Sequence, residues 1–229
     1  MKQIINPLFV LAVLSAMVLA GGCKKSSSVN GQVLTRTLVS VTNGGAPVTT
    51  TISYSYDNQG RQILAQTSGA STGSVAYNYS SSGQVVQTTT GTNAGTVTYT
   101  LNNQGLAESD GTNTYSYANG YLVTEDNSTG NSLNNTVSNG NVTATIVKIG
   151  TTTTNFSYTY TTTTDYRNFG LSFFGKNSTD NVNTESASSG GTTTTYSFSY
   201  VYDSKGRVIQ QTVSPGGTTS NVYTYTYTD

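Results

Sequence analysis

The chain has 229 residues, with ten basic and ten acidic side chains, one cysteine and no histidine. Balanced charge excludes the basic field that nucleic acid requires. Without histidine, and with one cysteine, Ser-His-Asp and Cys-His nucleophile sites and His/Cys metal sites are excluded as well.

The N-terminal segment reads as an export signal. Lys2 precedes an apolar run from Leu8 to Ala20, the length of a signal-peptide core and too short to span a bilayer as a helix;. Ala20-Gly21-Gly22-Cys23 resembles the lipobox of bacterial lipoproteins, although Leu19 stands one place early. That resemblance implies cleavage after residue 22 and acylation of Cys23. Acyl chains anchor firmly because each buried methylene contributes about 0.8 kcal/mol. Residues 23–32 then form a lipidated, Ser-rich flexible tether, and 33–229 a single domain. Lys24 and Lys25 stand where some surface-exported lipoproteins carry acids, which tilts the expectation towards the periplasmic face of the outer membrane.

From Val33 onward the pattern is strand, turn, strand. Aromatic or aliphatic residues alternate with Thr and Ser at Ile52/Tyr54/Tyr56, Val75/Tyr77/Tyr79, Val97/Tyr99/Leu101 and Tyr115/Tyr117. The same alternation returns at Phe156/Tyr158/Tyr160, Tyr196/Phe198/Tyr200/Tyr202 and Tyr223/Tyr225/Tyr227. A period of two puts the rings on one face of a strand, and Thr suits the other face. Asp57-Asn58-Gln59-Gly60 and Asp203-Ser204-Lys205-Gly206 predict type I turns closed by a left-handed glycine, and Asn102 to Gly105 repeats the spacing;. Asn119-Gly120 and Asn139-Gly140 predict two-residue type I′ turns. The expectation is an all-β antiparallel meander of about 14 short strands, curled into a barrel or half-barrel because twist accumulates. The uncharged terminal strand 222–228 either closes that sheet or offers an edge to a neighbour.

One stretch, Asp165 to Ser178, loses alternation and holds Phe169, Phe173 and Phe174. It reads either as a long connection folding its aromatics into one end of the core, or as a plug or binding loop. On the second reading Tyr166, Arg167, Phe169, Phe173, Phe174 and Lys176 are the candidate ligand-binding residues.

Carboxylates are the remaining source of chemistry. Glu108/Asp110 and Glu125/Asp126 are close in sequence, and glycosidases need two facing carboxyls. Both pairs fall in polar regions at strand ends, where the expectation is solvation. Asp126 to Asn131 echoes a calcium loop but lacks its bidentate Glu, so a plain turn is the expectation. No catalytic residue, metal ligand or cofactor motif emerges.

The Tyr-x-Tyr-Asp-x-x-Gly-Arg units resemble the tyrosine–aspartate repeats of large bacterial repeat proteins. The lipobox, Phe174-Gly175-Lys176-Asn177-Ser178, the turn Tyr202 to Arg207 and the terminal Thr-Tyr ladder together resemble Bacteroidota lipoproteins with a porin-like β fold. That resemblance implies an envelope β domain with no assigned activity. The expected function is therefore a non-enzymatic, lipid-anchored binding module for a glycan, peptide or other envelope ligand. The alternative is a structural subunit of the periplasm or outer membrane. Expected partners are the membrane, through the lipid, and a glycan or envelope protein; nucleic acid is not expected.

Overall fold

The computed structural model describes residues 33–41, 47–79, 82–91, 93–167, 171–215 and 220–227. The leader, Cys23, the tether and Phe169 lie outside these residues. Sixteen antiparallel strands form one closed up-and-down barrel in which each strand pairs with its neighbours in sequence. They are β1 Val33–Val41, β2 Val48–Tyr56, β3 Gln62–Gly69, β4 Gly73–Asn78, β5 Gln84–Gly91, β6 Gly95–Leu101, β7 Ala107–Ser109 and β8 Asn113–Ala118. The second half is β9 Tyr121–Asn127, β10 Ser132–Ser138, β11 Asn141–Ile149, β12 Thr152–Thr164, β13 Asp180–Ser189, β14 Thr192–Tyr202, β15 Val208–Ser214 and β16 Ser220–Tyr227. The terminal strand is not an open edge: β16 pairs with β1 from Val33↔Tyr227 to Val41↔Ser220 and closes the sheet.

The count of 16 exceeds the expected 14 for a definite reason. The seven aromatic ladders visible in the sequence are β2, β4, β6, β8, β12, β14 and β16, all even-numbered. β10, the remaining even strand, has no ring, and β7 is only three residues long. Neither leaves a period-two aromatic signal.

The turns form as their residues dictate. Asn119 and Gly120 have φ of 54° and 82°, and Asn139 and Gly140 51° and 81°, the two consecutive positive values of a type I′ turn;. In the turn after β2, Asp57 Oδ1 accepts from the backbone N–H of Gln59 and Arg61, both at 2.9 Å, while Oδ2 accepts from Arg61 Nε at 2.7 Å. The turn after β14 repeats these bonds at Asp203, Lys205 and Arg207 with the same lengths. Asn127 likewise accepts from Thr129 N–H, and residues 127–131 close a turn.

The barrel turns hydroxyls outward and rings inward. Its outer wall carries directly opposed hydroxyl pairs, including Thr35–Thr226, Ser74–Thr90, Thr159–Thr184 and Ser186–Thr195 at 2.6 to 2.9 Å. Rings fill the inside, where three buried clusters centre on Phe156/Tyr158, Val208/Tyr225 and Val85/Tyr99/Phe173. A spanning barrel requires an outward apolar band. Here the exposed aliphatics Val48, Ile63, Ile146, Ile149, Val201 and Ile209 are spread over five strands.

The tyrosine hydroxyls follow a rule of their own. The register slips by one residue at Ser55/Tyr56, Thr136/Val137, Thr159/Tyr160 and Val201/Tyr202. Such a bulge disrupts the ladder locally. Beside each of these four bulges, a tyrosine in or just after the following even strand donates to a carbonyl: Tyr79 to Gln62, Tyr160 to Val142, Tyr200 to Val182 and Tyr227 to Val208. A buried carbonyl without such a partner is costly. The rings therefore bury apolar area and complete the backbone at one rim.

Candidate functional site

β12 and β13 are joined by residues 165–179, whose described parts, 165–167 and 171–179, lie against opposite walls of the lumen at the rim holding the Asp-x-x-Gly and Asn-Gly turns. Arg167 fixes its first end. The guanidinium is 3% exposed and bonds Asp165 through Nε and Nη2, both at 2.8 Å. Nη1 donates to Gln211 Oε1 at 2.6 Å and Nη2 to Asn181 Oδ1 at 3.2 Å, while the rings of Tyr200 and Tyr225 lie alongside. Burial opposes the charged guanidinium, but the Asp165 carboxylate outweighs it and holds the group protonated.

The opposite wall receives the middle of the segment, a 3₁₀ turn over Ser172–Phe174. Phe173 is 2% exposed and packs on Tyr77, Tyr79 and Tyr99. Phe174 meets Tyr99 and Tyr115 edge-on. The return leg is strapped to two hairpin turns: Lys176 N–H donates to Gly120 O at 2.7 Å and Thr179 N–H to Gly140 O at 3.0 Å. Lys176 Nζ also donates to Asn119 O at 2.6 Å. A Cβ on Gly175, at φ +89°, would lie 2.5 Å from Gly120 O, so the strap requires glycine there;.

Beneath this plug is a cavity of about 360 Å³ within the lumen, a size in the range of small-ligand pockets;. Its lining runs from Leu171, Phe174 and Lys176 of the plug to Asp110 and Asn113 at the turn between β7 and β8. The cavity lies at one of two bulges where the repeat departs from this rule; at the other, Thr100/Leu101, Tyr117 of β8 donates to Phe173 O instead. The bulge at Ser116/Tyr117 has its carbonyl, Leu122 O, bonded by Asn135 Nδ2 at 3.1 Å rather than by a tyrosine. A short amide on the ringless strand β10 leaves open the volume that a ring fills elsewhere.

Two carboxylates meet there. Burial tends to raise the pKa of Asp110, yet the N–H of Asn113, the Tyr115 hydroxyl and the N–H of Thr112 outweigh it and hold the carboxyl below its ordinary value. Glu125 is raised, first by burial and then by the charge of Asp110. It has no hydrogen-bond or ion-pair partner among the described residues. The expectation of solvated turn carboxylates is thus corrected at Glu125. It projects inward from β9 between Tyr115 and Leu133 of the adjoining strands, and its electrostatic neighbour is Asp110 rather than Asp126.

Of the candidate binding residues, Phe174 and Lys176 line the cavity, whereas Phe173 and Arg167 hold the plug in place. Tyr166 is 38% exposed and is absent from the cavity lining. Sequence reasoning missed Glu125, Asp110 and Asn135 as site residues. The one available signal was the missing aromatic in β10.

These features define the class: a closed, all-β up-and-down barrel with a plugged, tyrosine-filled lumen. Among solved structures the chain is similar to a porin-like protein from Bacteroides uniformis, at 18% identity, with a TM-score of 0.64 over 87% of this chain and 99% of that one. A porin-like protein from Bacteroides vulgatus matches at 13% identity and a TM-score of 0.59, with the same coverage. The porin-like fold expected from the sequence is therefore present. No protein-family model and no curated protein matches the chain.

Proposed function

We propose that this is a lipid-anchored, non-enzymatic binding barrel of the bacterial outer membrane that holds a small ligand in its lumen, on the periplasmic side. The observation that carries the reading is the cavity under the plug, lined by rings and by inward polar groups in an interior otherwise packed with tyrosine. The hydroxyl-rich outer wall supports anchoring through Cys23 over spanning, since that wall suits water rather than lipid;. The structural-subunit alternative drew on a free terminal edge, and pairing of β16 with β1 takes that edge away.

Asn135→Tyr supplies the test, because it places the repeat's own ring in the cavity, with a hydroxyl directed at Leu122 O. Protein extracted from envelopes in mild detergent is expected to begin at an acylated residue 23 and to retain a small molecule in native mass spectrometry. Asn135→Tyr should fold, keep the acyl group and lose the small molecule. An unacylated chain would sink the anchoring, and a molecule retained equally by the variant would sink the cavity.

A further inference from the structure

Charge in the cavity is one-sided. Asp110 keeps its charge through bonds from Thr112 N–H at 2.8 Å, Asn113 N–H at 2.6 Å and the Tyr115 hydroxyl at 2.7 Å. Glu125, beside it, has no hydrogen-bond or ion-pair partner among the described residues. The lone basic group of the lining, Lys176, is drawn to the rim, where its ammonium bonds Asn119 O and lies 5.3 Å from the centre of the Tyr121 ring. Two carboxylates thus face a space walled by Tyr99, Tyr115 and Phe174.

This constellation calls for a ligand that carries positive charge, donates hydrogen bonds and offers apolar surface. A cation is attracted to the faces of aromatic rings and to carboxylates together. A carboxylate accepts strong charge-assisted bonds from N–H donors. An accepting carboxylate favours an ammonium with N–H groups over a quaternary one, which has no proton to give. A carboxylate-bearing ligand would bring a third negative charge beside Asp110 and Glu125.

We propose that the cavity selects a primary or secondary organic ammonium with an apolar body, its nitrogen held by Glu125 and its body against Tyr99, Tyr115 and Phe174. The proposal rests on reading the cavity as a binding site, and one titration series separates the two. Butyl-, hexyl- and phenethylammonium are titrated by NMR into the wild-type chain, beside the corresponding alcohols and carboxylates and phenethyltrimethylammonium. The expected result is that ammonium ions bind at least tenfold more tightly than their alcohols and than the quaternary ion, with Asn135→Tyr binding none. Glu125→Gln should lose the ammonium preference while still binding the alcohols. Alcohols binding as well as amines to wild type, and lost in Asn135→Tyr, would overturn the charge selection and keep the cavity. Ammonium binding undiminished in Asn135→Tyr would be surface attraction and would overturn the proposal. If no compound of the series binds, both readings fall. The wild-type comparison stands even if Glu125→Gln does not fold.

Discussion

Glu185 faces inward from β13 between Tyr158 and Tyr196, 7% exposed and without a hydrogen-bond or ion-pair partner among the described residues. Burial raises its pKa from 4.5 to about 7. Between those values the folded chain holds a proton that the unfolded chain has released, so stability falls as pH rises through the window. The shift corresponds to roughly 3 kcal/mol. Glu185→Gln should abolish that slope and melt higher than wild type above pH 7; thermal unfolding from pH 4.5 to 8 checks it. Asp57 and Asp110 act oppositely. Burial tends to raise both, but the hydrogen bonds they accept win and lower their pKa, so their contribution is lost as pH falls through the acid range. Maximum stability is expected at the lower edge of the Glu185 window, between the two effects;.

The plug is the element on which the site depends, and its two phenylalanines have separate duties. Phe173 is enclosed by Val85, Tyr99 and Ala107, so Phe173→Ala should cost about 3–5 kcal/mol;. Phe174 is half-buried with one side on the cavity, so Phe174→Ala should cost less and enlarge the pocket. Urea unfolding of the two single variants tests the division, and equal losses would refute it. Arg167 belongs with Phe173 in this account. Its bonds to Asp165, Gln211, Asn181 and the Tyr225 hydroxyl use all five N–H donors, so the group positions the segment and leaves no donor for a ligand;.

For the whole molecule, closure is the decisive fact. β16 joins β1 and β15 in the ladder and adds Tyr225 to the core and Tyr227 to the carbonyl of Val208. Deleting residues 220–227 should therefore unfold the entire domain rather than release a soluble monomer with an open edge. Loss of the cooperative melt is expected; a folded monomer would contradict it. Closure also sets orientation: β1 begins and β16 ends at the rim that carries the plug, so a lipid on Cys23 would tether that rim nearest the membrane.

Local chemistry wrote much of this fold into the chain. Alternation of Tyr with Thr defines a strand's two faces, and Asn-Gly or Asp-x-x-Gly selects its turn, because both depend on a few consecutive residues. Strand type, hairpin order and the hydroxyl-rich wall were legible for that reason. The site was not. Glu125 stands on β9 and Asp110 in the turn before β8, and whether a carboxylate meets solvent or another carboxylate depends on register, which the bulges shift by one residue. Asn135 matters only because Leu122 O lies across from it and a ring would otherwise stand there. From the sequence alone came a curled meander with one irregular loop. Only the closed barrel decided that the rings point inward, that the loop plugs one rim, and that one missing tyrosine leaves a cavity beneath it. Inside and outside exist for a sheet only once its first and last strands have met.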